Sequence, residues 1–241
     1  MRLLSFIFLF SILSCSTQAQ GLKGALQKVK EAAAPALPLS EADIAEGLKQ
    51  ALDKGLAEAV TTLARENGYL ESPYKILLPE EAQQVVAKLR AIPGFGDAEQ
   101  KLIEKLNRAA EDAASEAGPI FATAIKNMRF TDAMDILMGN PDAATRYLER
   151  STYESLYESF RPVVISSLDE VNAREYWQEI VTAYNKIPLV KKVNPELDDY
   201  VTQRALAGLF QRVEAEELRI RTNQSARTSD LMKRVFARQD K

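Results

Sequence analysis

Ile44, Leu48, Leu52, Leu56, Ala59 and Leu63 stand three or four residues apart, the spacing that places side chains on one face of an α-helix. A chain made of such stretches buries its apolar stripes against other helices, so this period constrains the fold more than any other feature. Ser40, with Asp43 three places on, opens the stretch as an N-cap, although a strict capping box takes Glu or Gln there; Asn67-Gly68 closes it. Pro79-Glu80-Glu81 starts a second helix, with Pro at its first position and acids in its first turn, and Pro93-Gly94-Phe95-Gly96 ends it. Asp97 caps a longer helix whose inner face is Leu102, Leu106, Ala109, Ala113 and Ala117, where alanine lets a neighbouring helix come close. Gly118-Pro119 interrupts, and a further segment carries Phe121, Ile125 and Met128.

More helices are expected over Thr131–Met138, from Asn140-Pro141-Asp142 to Arg150, over Thr152–Leu168 and over Asn172–Lys186. The last two run from Asn194-Pro195-Glu196 to Ile220 and from Ser225 to Arg238. No alternating run bounded by turns predicts a strand. The expectation is an all-α chain, a single irregular multi-helix bundle over residues 40–238. Uneven helix spacing, and the lack of the W/L/G/Y pattern of a tetratricopeptide unit, argue against a repeat array.

The N-terminus has another character. Arg2 precedes an apolar stretch from Leu3 to Leu13, and Ser14-Cys15 follows, the layout of a secretory signal. The stretch is short of the ~20 apolar residues that span a bilayer. Ile12-Leu13-Ser14-Cys15 resembles a bacterial lipobox, which makes residues 1–14 a lipoprotein signal peptide and Cys15 the lipid attachment site. The alternative is cleavage near Ala19-Gln20, with Cys15 discarded. Ser16-Thr17 stand where an Asp would signal inner-membrane retention, so the expected address is the cell envelope, at the periplasmic face of the outer membrane. Residues 15–39 read as a tether, small, polar and rich in Ala and Gly, with room for a short helix over 22–30. Each buried acyl methylene contributes ~0.8 kcal/mol, so two or more chains hold where one is marginal. Removing the leader removes Arg2 and no acid. The body is then mildly repelled by anionic lipid, and the lipid serves as a tether.

Composition removes several chemistries. With no histidine among 241 residues, Ser-His-Asp and Cys-His sites, His-ligated zinc or haem, and the imidazole proton shuttle are excluded. One cysteine makes neither an intramolecular disulfide nor a CxxC site. An excess of 34 Asp+Glu over 31 Lys+Arg argues against nucleic acid as a partner. At 46% hydrophobic residues, the chain has ample material for a core.

The remaining motifs each have a structural explanation. Gly94-Phe95-Gly96 follows no strand and lacks a third glycine, so it reads as a turn and not a phosphate loop. In Asn140-Pro141-Asp142, Asn140 fits an N-cap, Pro141 the first helical position and Asp142 a partner for the helix dipole. Leu197-Asp198-Asp199-Tyr200 holds the best acidic pair for acid–base work or Ca²⁺, yet it lacks the spacing of a calcium loop and sits at a helix start. A Ser or Thr nucleophile would need lysine as its base, and Gly-x-Ser-x-Gly is absent. Asn223-Gln224-Ser225 matches a glycosylation sequon for which a bacterial lipoprotein has no use. Tyr147, Tyr153, Tyr157, Phe160, Tyr176, Trp177 and Tyr184 read as core with hydroxyls at its edge, or as the lining of an apolar or sugar pocket. Arg108 and Arg227 read as partly buried partners of Asp or Glu. No catalytic, cofactor-binding or metal residue is assigned.

A set of segments points to a family. Leu106-Asn107-Arg108-Ala109-Ala110-Glu111, Pro119-Ile120-Phe121 with Ala124-Ile125, and Asp142-Ala143-Ala144-Thr145-Arg146-Tyr147 form its first half. Leu197-Asp198-Asp199-Tyr200-Val201-Thr202, Ala205-Leu206-Ala207-Gly208-Leu209-Phe210, and Ala226-Arg227-Thr228 before Leu231 and Phe236 form its second. Together they resemble the family called domain of unknown function 4197, from about Leu39 to Phe236. The family tends to carry proline before Ala-Arg-Thr; Gln224-Ser225 stand there in this chain, which removes a preset φ from that turn. The resemblance implies a helical domain outside the cytoplasm and no assigned activity.

Two functional classes follow. The first is a non-enzymatic envelope lipoprotein, a helical module that binds a protein partner or an apolar ligand near the membrane. The alternative is a periplasmic hydrolase acting on glycan or peptidoglycan through carboxylates such as Asp198 and Asp199, which requires two acids across a cleft at ~5–9.5 Å.

Overall fold

Ser40 takes extended backbone, its hydroxyl accepts the Asp43 N–H at 3.1 Å, and Asp43 Oδ2 accepts the Ser40 N–H at 3.0 Å. The shorter acid completes a capping box after all, and helix α1 (Glu41–Ala64) runs on from it. The computed structural model of the chain describes residues 38–79, 83, 98–186, 188, 189, 192–194 and 196–240. Seven further helices follow: α2 (Ala98–Ala114), α3 (Ala117–Asn127), α4 (Phe130–Met138), α5 (Ala143–Asp169), α6 (Ala173–Asn185), α7 (Leu197–Thr222) and α8 (Asp230–Phe236). With no strand among the described residues, the fold is all-α, a multi-helix bundle. Leu39–Lys241 make one compact unit.

The long helices α1, α2, α5 and α7 pack on one another around the core. Ala109, Ala110, Ala113, Ala114 and Ala117 are buried, so the alanine face does admit close neighbours. On α1, a Cβ added to Gly47 would lie 2.6 Å from Val235 Cγ2, which shows how closely α8 sits on the α1 backbone.

Several boundaries differ from expectation, each for a physical reason. The break after α2 comes at Ser115-Glu116, and Gly118-Pro119 lie inside the first turn of α3, where proline removes no helical hydrogen bond. The two helices expected on either side of Ser151 are one helix, α5. Ser151 Oγ donates to the Tyr147 carbonyl at 2.9 Å and Thr152 Oγ1 to that of Leu148 at 2.6 Å, so the pair that resembles a cap bonds backward along a continuing helix. Pro162 lies within α5 on its exposed face, and Glu158, whose carbonyl it leaves without a helical donor, is exposed as well.

At the C-terminus, Ser229 caps α8, and Gln224–Ala226 form a 3₁₀ turn instead of a helix start. Asn223 Oδ1 holds that turn by accepting the Ser225 N–H at 2.9 Å, in place of the constraint proline would supply. The expected helix from Pro79 to Pro93, its Gly94-Phe95-Gly96 stop, Asp97, Pro195, and residues 1–37 with Cys15 lie outside the described residues, in whole or in part.

Candidate functional site

The turn after α1 is built by unlike devices. Asn67 adopts φ 65°, and a Cβ at Gly68 would strike the Thr62 and Leu63 carbonyls at 2.5 and 2.4 Å, so only glycine fits there. Glu111 on α2 is buried and its carboxylate accepts the N–H groups of Asn67, Tyr69 and Leu70 at 3.2, 3.0 and 3.1 Å, with Arg108 Nη1 at 2.6 Å. Tyr69 is buried and donates its hydroxyl to the Ala205 carbonyl of α7 at 2.8 Å; burial, then Glu111, pushes its pKa well above the usual phenol range. At Gly208 a Cβ would lie 2.9 Å from the Tyr69 ring and 3.2 Å from Tyr74 Cβ, so this glycine lets both side chains pack against α7.

From this turn residues 75–79 run on without helical structure, clamped from both sides. On the inner side the buried Asn107 amide accepts the Ile76 N–H at 2.8 Å and donates to its carbonyl at 2.9 Å, as a neighbouring strand would. On the outer side Tyr200 OH donates to the Leu77 carbonyl at 2.7 Å, and Gln83 Nε2 to that of Leu78 at 3.0 Å. Between this segment and α7 lies a groove of about 350 Å³. One wall carries Tyr74, Lys75 and Leu77; the other is the α7 face of Tyr200, Arg204 and Gln211, with Gly208 between them. The Arg204 guanidinium lies 5.4 Å from the centroid of the Tyr200 ring. Among the described residues no carboxylate lines the groove, and neither Lys75 nor Arg204 forms an ion pair.

The acids singled out in the sequence are occupied elsewhere. Asp198, 4% exposed, accepts Arg161 Nε at 2.9 Å and lies 3.6 Å from Arg174 Nη1. Its neighbour Asp199 accepts Tyr157 OH at 2.6 Å, Asn194 Nδ2 at 2.8 Å and Gln203 Nε2 at 2.9 Å; that bond pushes the Tyr157 pKa up to about 12. Asn140 is not an N-cap and Pro141 is not helical. Asp142 precedes α5 without capping it, and Glu217 from α7 accepts the Ala144 and Thr145 N–H groups at 3.0 and 2.8 Å instead. A carboxylate distant in sequence replaces the local cap, while Asp142 pairs with Arg146 at 3.0 Å beside a shallow hollow.

Both arginines have the partners expected of them. The Arg227 side chain, 1% exposed, makes a bidentate pair with Asp240 at 2.7 Å on each arm and donates to the Ile220 and Arg221 carbonyls. Arg108 is more open and is shared among Glu111, Glu66 and Glu104. Phe160 and Trp177 are core, Tyr153 stacks between Tyr157 and Phe210, and Tyr176 is exposed. Asn223, the sequon residue, is taken up by the 3₁₀ turn.

Sequence reasoning missed the groove and one spacing beside it. Ser72-Pro73-Tyr74-Lys75 is a Ser-x-x-Lys. Ser72 Oγ, however, donates to the Tyr69 carbonyl at 2.9 Å and accepts the Tyr74 N–H at 3.2 Å, so the hydroxyl forms the turn and makes no bond to Lys75. Among the described residues no group of three or more Cys, Asp or Glu could hold a metal ion, and no helix is long and apolar enough to cross a membrane.

Residues 38–237 match the family described as protein of unknown function (DUF4197). The chain belongs to that family. No curated protein and no solved structure matches it. The segments that carry the DUF4197 resemblance hold the clamps described above: Asn107, Arg108 and Glu111 in the first, Thr145 at the Glu217 cap, Asp198, Gly208 and Arg227. In this DUF4197 chain the recognisable residues are therefore largely those that hold helices and turns in register. The groove shares only Tyr200, Ala207 and Gly208 with those segments.

Proposed function

We propose that this DUF4197 protein is an envelope lipoprotein, lipidated on Cys15, whose helical body is a non-catalytic binding module with the groove beside α7 as its binding face. One observation carries the reading. In an acid-rich chain whose buried acids are saturated by N–H groups and arginines, the described lining of this groove presents two cations and no carboxylate. Paired charges serve the fold, whereas unpaired charges beside a concave, tyrosine-lined wall are available to a ligand. The lipobox-like Ile12-Leu13-Ser14-Cys15 and the tether over 15–39 support the address. From that position the body reaches ligands near the membrane without lying on it.

Purification from detergent-solubilised envelope, followed by mass spectrometry, tests the binding reading. A stoichiometric partner or ligand should accompany the natural chain and be lost from a Lys75→Ala/Arg204→Ala double variant. A clean monomer, or cargo retained by the double variant, would sink it. The anchor is tested separately: Cys15→Ala should leave the membrane fraction, and persistence there refutes lipidation as the anchor.

A further inference from the structure

Resting on the groove as the binding face, we infer that its ligand is an acidic saccharide, a sugar-sized ring bearing a carboxylate or a phosphate. Arg204 supplies the first argument. Its guanidinium lies over the Tyr200 ring, 5.4 Å from the centroid and within cation–π reach, and that ring is itself held by the 2.7 Å bond from its hydroxyl to the Leu77 carbonyl. A guanidinium drawn to a ring face keeps its N–H groups for an oxyanion, which it binds as a planar fork. Lys75 adds a point charge from the opposite wall.

The rest of the lining suits a hydroxylated ring. Gln83 spends its Nε2 on the Leu78 carbonyl and keeps Oε1 as an acceptor; Gln211 has no partner among the described residues and offers both donor and acceptor. Tyr74 and Leu77 give apolar surface, and Leu77 is half exposed although it is a large aliphatic. About 350 Å³ lies at the small end of ligand sites and suits one or two sugar rings. The net charge of −3 does not forbid an anion, because charges beyond ~8 Å are largely screened at physiological salt and the two local cations decide.

An extended peptide pairing along residues 75–79 fits less well. Asn107 takes both backbone groups of Ile76, and Tyr200 and Gln83 take the Leu77 and Leu78 carbonyls, so the segment offers little free edge.

Saturation-transfer NMR on the full chain in detergent micelles, with glucuronate, glucose 6-phosphate and glucose as probes, tests the inference. Transfer to one or both acids, with none to glucose, is expected, and the tighter acid assigns the oxyanion. Arg204→Ala should weaken binding roughly tenfold, the worth of one charge-assisted hydrogen bond. Arg204→Lys, which keeps the charge and loses the fork, should fall between, and added salt should weaken the natural chain. Equal transfer to glucose, undiminished binding by Arg204→Ala, or silence from both acids overturns the inference. Silence from both acids, with envelope cargo still lost from the double variant, removes the saccharide and keeps the groove. Cargo retained by that variant removes both.

Discussion

Arg227 and Arg204 stand on either side of the same design problem. Arg227 is sealed between the end of α7 and α8, with Asp240, two carbonyls and the Phe236 ring as partners. Arg204, in the first half of α7, has one aromatic ring beneath it and an open groove before it. A buried charge needs partners, and Arg227 finds them within the chain for four of its five N–H groups. An exposed charge keeps its hydration and needs no internal partner. The difference separates a residue that holds the fold from one left free for something outside it.

Stability measurements should break or sharpen this contrast. In urea or guanidinium unfolding, Arg227→Ala should cost on the order of 3 kcal/mol, because it strands the Ile220 and Arg221 carbonyls and empties a buried, hydrogen-bonded site, whereas Arg204→Ala should stay within about 0.5 kcal/mol. Equal losses would erase the distinction. Glu111→Gln should cost about 2 kcal/mol, since the three N–H groups of the turn after α1 would lose a charged acceptor. A loss of that size cannot be assigned to packing, because the side chain keeps its volume; no loss would show that a neutral acceptor serves the turn equally well.

The acid limb of stability gives a finer test. Arg227 holds the Asp240 carboxyl below its ordinary pKa, so the pair stabilises the fold fully above the unfolded value of ~3.9 and its contribution disappears as pH falls through the lower folded value. Thermal melts from pH 5 down to pH 2 should therefore show a shallower acid loss for Asp240→Asn than for the natural chain, and an unchanged acid loss for Arg204→Ala. The smallest effect concerns Thr202, whose buried hydroxyl has no partner among the described residues. Thr202→Val should raise stability by up to about 1 kcal/mol; a clear loss would show that the hydroxyl is used after all.

Much of the fold was legible beforehand, and the reason is local. The face of α1 from Ile44 to Leu63 and the alanine face of α2 follow from spacing alone, because a helix brings residues three and four apart together wherever it lies. Boundaries were legible only where the signal was also local, as at Ser40. They failed where a distant side chain took over: Glu217 caps α5 from seventy-two residues beyond Thr145 and makes an Asn140 cap unnecessary. Ser151-Thr152 misled for a related reason, since the same hydroxyls serve a helix start or a helix interior according to what packs around them.

The groove was not legible at all. Its walls lie more than a hundred residues apart, as the 123-residue separation of Leu77 and Tyr200 shows, and no pattern along the chain ties Lys75 to Arg204. By itself the sequence determined the helical class, the family and the chemistries that a chain without histidine lacks, since these depend on composition and on neighbours along the backbone. Tertiary structure alone decided which charges are consumed and which stay free, because pairing depends on which helices meet, and a lysine or arginine reads identically in either role.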